Sequence, residues 1–83
     1  MTEKEKMLAG ELYNSTDPQL VEERNRAHAL TQKFNRTLEG STEEREQIIR
    51  ELFGKVGENC YIEPTFRCDY GYNITAGDNL YLN

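Results

Sequence analysis

Val56, Ile62, Cys68, Ile74 and Leu80 stand six residues apart, with polar and turn residues between them. Neither the 3.6-residue period of a helix nor the two-residue period of a strand gives five consecutive matches at six. Six is the repeat of a hexapeptide β-helix, in which each hexapeptide supplies a short strand and a corner and three close one triangular coil. The aliphatic side chain then points inward and stacks on its equivalent one coil later, Val56 on Ile74 and Ile62 on Leu80. Gly57, Glu63 and Asp69 suit the small-or-acidic preference just after the stacking position, whereas Thr75 and Tyr81 do not. Cys60 suits the small inward site four residues after it, whereas Phe66, Tyr72 and Asp78 do not. Departures of this kind belong to terminal repeats, and the bulky rings of Phe66 and Tyr72 are free to meet other elements. An antiparallel meander with glycine turns accounts equally for the Tyr, Ile, Thr and Phe content, and the spacing alone leaves it open.

The first 53 residues have a different character. They hold 8 of the 10 basic and 11 of the 15 acidic residues, while residues 54–83 hold four of the six glycines and four of the five tyrosines. Three helices are legible. Thr2 with Glu5 forms a capping-box pattern that opens a short helix to about Leu8, stopped by Gly10. Asp17-Pro18 is a start signal, because Asp17 can accept from free first-turn amides and Pro18 has no amide to leave unpaired. From there Leu20, Arg24, Ala27, Thr31, Phe34 and Leu38 recur at three- and four-residue steps, with Gly40 as the expected stop. Ser41 with Glu44 repeats the capping box and opens a third helix with Ile48, Ile49, Leu52 and Phe53 on its apolar face. These stripes are too narrow for the helices to cover one another fully, so they are expected to lie on the second half.

Composition excludes several classes. A net charge of −5 disfavours nucleic acid, which calls for a basic stripe. No apolar run reaches a membrane span, and the charged Met1–Lys6 start does not read as a secretory signal, so a cytoplasmic protein is expected. Cys60 and Cys68 are too few for a zinc cluster or a disulfide scaffold and read as small apolar side chains; no metal is expected.

Two strings carry a more specific message. Met7-Leu8-Ala9-Gly10-Glu11-Leu12-Tyr13, followed by Arg24-Asn25-Arg26 and Phe34-Asn35, resembles the N-terminal helical domain of the maltose and galactoside O-acetyltransferases. Tyr61-Ile62-Glu63-Pro64-Thr65-Phe66-Arg67-Cys68-Asp69-Tyr70-Gly71-Tyr72-Asn73-Ile74 resembles the entry into the left-handed β-helix of the same family, closest to its maltose branch. The resemblance implies an α+β chain, with a three-helix segment over residues 1–55 packed on the first coils of a left-handed parallel β-helix over 56–83. It also implies a trimeric enzyme that moves acetyl from acetyl-CoA to a sugar hydroxyl, with partners limited to the sugar and acetyl-CoA.

Residue roles follow from the same resemblance. Asn83 matches the family's oxyanion-stabilising Asn, and Arg24, Asp69 and Tyr81 match acceptor-site positions. Direct alignment places Ser15 where the family carries an acidic residue, and Asp17 stands two residues later. The family's catalytic His and coenzyme site match nothing in this chain, since the sole histidine, His28, lies in the second helix. No cofactor is therefore expected on these residues, with acetyl-CoA a co-substrate of the complete enzyme. Arg24 interrupts an apolar stripe, a position that calls for a partner. Five stacking residues make fewer than two coils, so the sequence is expected to be the front part of an enzyme, inactive and poorly folded by itself. The alternative is a non-catalytic binding or assembly module.

Overall fold

The computed structural model describes residues 1–82. Thr2 accepts from the Glu5 N–H at 3.0 Å while Glu5 Oε1 accepts from the Thr2 N–H at 2.9 Å, the reciprocal cap that starts α1, Glu3–Leu8. Gly10 follows with φ +77°, a turn conformation that costs glycine little. Asp17 accepts from the Gln19 N–H at 3.1 Å and opens α2, Pro18–Asn35. Its stripe is buried as its spacing predicts at Leu20, Ala27, Thr31 and Phe34.

Two helix boundaries differ from expectation. The second helix stops at Asn35, well before Gly40, because Thr37 turns its hydroxyl onto the Phe34 carbonyl at 2.7 Å and receives the Arg45 Nε–H at 2.7 Å. Leu38 consequently leaves the stripe and is 78% exposed. The third helix, α3, spans Thr42–Leu52, yet Ser41 makes no side-chain cap bond. With ψ at 52°, Ser41 lies outside the extended conformation that aims a cap hydroxyl at the first-turn amides. Ile48, Ile49 and Leu52 face inward as expected, and Phe53 is buried beside them.

Four short strands follow: β1 Lys55–Val56, β2 Tyr61–Ile62, β3 Thr75–Ala76 and β4 Tyr81–Leu82. β1 pairs with β3 and β2 with β4, both in parallel, which rules out the antiparallel meander. The register corrects the stacking scheme. Val56 lies opposite Ala76 rather than Ile74, and Ile62 opposite Leu82 rather than Leu80, an offset of twenty residues in both ladders. The extra length falls between Ile62 and Thr75, a stretch with no strand of its own. Leu80 therefore shifts one inward site back, and its carbonyl accepts from the Tyr61 N–H at 2.8 Å.

All five six-spaced side chains still meet one core. Ile62 is buried, and Val56, Cys68, Ile74 and Leu80 pack partly buried against it. Phe66 does meet the helices, edge-on to Phe34 with ring centroids 6.5 Å apart and tilted on Phe53 at 5.6 Å. Gly71, at φ +85°, sits so close under α3 that a Cβ there would lie 2.4 Å from the Leu52 carbonyl oxygen.

Candidate functional site

Arg24, His28, Thr31 and Asn35 are spaced at four, three and four residues, so they share one face of α2. Three of them hold the extended half directly. Arg24 Nη1 donates to the Tyr70 hydroxyl at 2.9 Å. His28 Nε2 lies 3.1 Å from Asp69 Oδ1. The Asn35 side chain donates to the Phe66 carbonyl at 2.9 Å and accepts from the Phe66 N–H at 2.8 Å. Residues 66–70 are thus threaded along one helix face. Thr31, buried between these anchors, donates to the His28 carbonyl at 3.0 Å and leaves no polar atom of its own unpaired.

The segment ahead of α2 also reaches Arg24. Asn14 Oδ1 accepts from both the Thr16 N–H and the Thr16 hydroxyl, while the Asn14 N–H donates to Glu3 Oε1 at 2.7 Å. This local turn aims the Ser15 carbonyl at Arg24, which forks both Nη atoms onto it at 3.2 Å. A planar guanidinium can span Ser15 and Tyr70 together; an ammonium has no such fork.

Further along the groove an open cleft of ≈ 570 Å3 is lined by His28, Thr31, Gln32, Arg67, Cys68 and Asp69. Asp69 is 72% exposed at its side chain and His28 51%. Among the described residues the carboxylate has one partner, His28, which takes one of its two oxygens. Burial, then the Asp69 charge, pushes the Cys68 thiol up, so it stays protonated and unreactive at neutral pH. The cleft lining thus combines one carboxylate, one guanidinium, an imidazole, a hydroxyl and one side-chain amide.

A second cluster braces the site. Lys4 Nζ lies 2.9 Å from Glu23 Oε1 and 4.3 Å above the Tyr72 ring centroid. Burial opposes ionisation of Glu23, but Lys4, Tyr72 and Gln19 outweigh it and hold the carboxyl below its ordinary range. Burial, then Glu23, pushes the Tyr72 hydroxyl up. The cluster joins α1, α2 and the extended half at one point.

The sequence-derived residues are only partly brought together. Arg24 has the partners its position calls for, Ser15 contributes its carbonyl, and Asp69 borders the same groove. Asp17 is engaged as the α2 cap. Tyr81 lies on β4, 61% exposed, and stacks on Tyr61 with centroids 5.2 Å apart and planes 12° apart. Asn83 lies outside the described residues. Sequence reasoning set His28 aside as a catalytic base and gave no site role to Tyr70 or Asn35. The signal available for the first was its position one turn after Arg24, and for Tyr70 its place next to Asp69. Among the described residues no group of His, Cys, Asp or Glu is arranged to hold a metal, and no helix is long and apolar enough to cross a membrane.

Residues 6–57 match the family described as the maltose acetyltransferase hexapeptide capping motif. Nodulation protein L of Rhizobium meliloti is 45% identical over 99% of this chain and 45% of its own length. The crystal structure of a maltose O-acetyltransferase from Clostridium difficile 630 superposes with a TM-score of 0.91 at 44% identity, over 98% of this chain and 54% of that one. A galactoside acetyltransferase in complex with coenzyme A superposes with a TM-score of 0.87 at 38% identity, over 98% of this chain and 40% of that one. The chain spans about half the length of the relatives it matches.

Proposed function

The chain belongs to the maltose acetyltransferase capping-motif family of acetyltransferases, and from that membership we propose that it forms the acceptor side of an acetyl-CoA-dependent sugar O-acetyltransferase. The observation that carries this reading is the groove between α2 and residues 66–70. There Arg24 is braced on Ser15 and Tyr70, the exposed Asp69 carboxylate is held by His28, and in this reading the two contact the acceptor. Tyr81, Ser15 and Asp17 are assigned to the acceptor site from family membership alone, since in this chain Tyr81 stacks on Tyr61 and Asp17 caps α2.

In this reading residues 1–55 are the helical cap, and residues 56–83 begin a left-handed β-helix. Support for the coil comes from the two parallel ladders with one common offset, the arrangement produced when successive turns of one chain stack. The family's homotrimer and a cytoplasmic setting belong to the same proposal.

The reaction is attack of the acceptor oxygen on the thioester carbonyl of acetyl-CoA. A base removes the hydroxyl proton, the C–S bond breaks, and coenzyme A leaves as the thiol with the acetyl ester on the sugar. This chain's part is positional. Holding one sugar face against Arg24 and Asp69 turns a bimolecular collision into attack from a fixed geometry. Asn83 is assigned the oxyanion, and the base and coenzyme-binding coils are assigned to sequence outside residues 1–83.

The test is thiol release from acetyl-CoA by the complete gene product, offered glucose, maltose and galactosides. Acceptor-dependent release, with an O-acetyl sugar seen by mass spectrometry, is the expected result. Release that no sugar stimulates would overturn the reading.

A further inference from the structure

The geometry points to His28 as a positioning residue that fixes the Asp69 carboxylate for acceptor binding, an inference that rests on the function proposed above. His28 Nε2 lies 3.1 Å from Asp69 Oδ1, and the pair bridges α2 and residues 66–70 across forty-one positions of sequence. The next residue, Tyr70, is held by Arg24 one helical turn earlier, and Phe66 is held by Asn35 two turns later. A free aspartate side chain at the surface samples several rotamers, each placing its oxygens differently. His28 selects one of them. It binds a single oxygen of Asp69, which lines the cleft together with Gln32 and Arg67. The groups that line the cleft with the imidazole are Asp69, Cys68 and Arg67 from the extended half and Thr31 and Gln32 from its own helix. Asp69 is the one carboxylate among them, so the ring nitrogen that faces it is fixed as a donor.

That requirement sets the neutral ring's tautomer: Nε2 carries the proton and Nδ1 does not. His28 touches no reacting atom in this scheme. It acts on the acceptor through Asp69, so its removal should weaken acceptor binding and leave the chemical step alone. Glutamine at this position carries an amide N–H at similar reach and should replace the bond, whereas alanine and leucine cannot.

Two measurements on the complete gene product test this. In long-range 1H–15N spectra of the neutral ring, His28 should show the Nε2–H tautomer more fully than free histidine does, and Asp69→Leu should return it to the free-histidine ratio. In steady-state assays with glucose or maltose, His28→Ala and His28→Leu should raise the acceptor KM roughly three- to tenfold at nearly constant kcat and acetyl-CoA KM. His28→Gln should recover most of the loss. An unchanged acceptor KM in His28→Ala, a fall in kcat that glutamine does not rescue, or a protonated Nδ1 in the neutral ring would each overturn the proposal. A wild-type protein with the Nε2–H tautomer but no sugar-stimulated turnover would keep the His28–Asp69 bond, refute the function proposed above, and so refute the acceptor role of His28.

Discussion

Asn35 holds the backbone of Phe66 from both sides, donating to its carbonyl at 2.9 Å and accepting from its N–H at 2.8 Å. An asparagine amide reproduces the face of a peptide group, so it pairs with an irregular segment as a neighbouring strand would. Asn35→Ala removes both bonds in a partly buried place. The expected cost is about 1–3 kcal/mol, read as a lower urea midpoint at unchanged slope. Asn35→Asp keeps the acceptor but sets a second carboxylate oxygen against the Phe66 carbonyl, and should do no better than alanine.

Gly71→Ala should be among the most damaging single-methyl changes in the chain. Its φ is +85°, and the new methyl would lie 2.4 Å from the Leu52 carbonyl oxygen, a backbone atom that cannot step aside without unwinding the last turn of α3. A loss above about 2 kcal/mol is expected. Gly10→Ala is the control, since φ there is +77° but nothing lies within 4 Å of the added carbon. It should cost about 1 kcal/mol, the conformational part alone. Equal losses by thermal denaturation would show that the Leu52 contact carries no weight.

Arg24→Lys keeps the charge and loses the fork that spans the Ser15 carbonyl and the Tyr70 hydroxyl. Steady-state assays should show an acceptor KM raised roughly tenfold, with acetyl-CoA KM unmoved. Tyr70→Phe removes one of these bonds and should give a smaller change in the same direction.

Glu23 makes stability depend on acid. Its folded carboxyl is held below the ordinary value of 4.5, so its contribution is fully present above that pH and is lost as pH falls through the folded value. Thermal melts of wild type and Glu23→Gln should therefore differ at pH 7 and converge as the pH falls below the folded value. A difference that persists in acid would mean that Glu23 acts through packing, not through its charge on Lys4.

Much of this was legible in the sequence because the signals were local. The Thr2–Glu5 cap, the Asp17-Pro18 start and the inward faces of α2 and α3 depend on residues within two helical turns of one another. The Ser41 cap failed because its backbone angle is set by the turn from Leu38 to Ser41, which composition does not reveal. The six-residue spacing identified the inward side chains but misjudged their partners. Five matches at six give no sign that the stretch between Ile62 and Thr75 carries extra residues, so Leu80 was set over Ile62 where Leu82 belongs. From the residues themselves only Arg24 announced the site, its charge breaking an apolar stripe, while Ser15 and Asp69 came from the family resemblance. The Arg24 partners Tyr70 and Ser15 lie in irregular segments, where no periodicity reports a neighbour.

The common twenty-residue offset of the ladders also bears on how this chain folds. A parallel pair cannot begin at a tight hairpin, so each ladder must close a loop of that length before its first hydrogen bond forms. Two-residue strands return too little to meet that entropy cost alone. Helix α2 is assembled from contacts near in sequence, and Arg24, His28 and Asn35 then fasten residues 66–70, the middle of both loops, to one rigid face. Each loop is thereby divided into two shorter closures. The expected order of events is α2 with α3 first, capture of Phe66 and Tyr70 next, and strand pairing last. Helix-face substitutions should accordingly slow folding, whereas changes in the strands should mainly hasten unfolding.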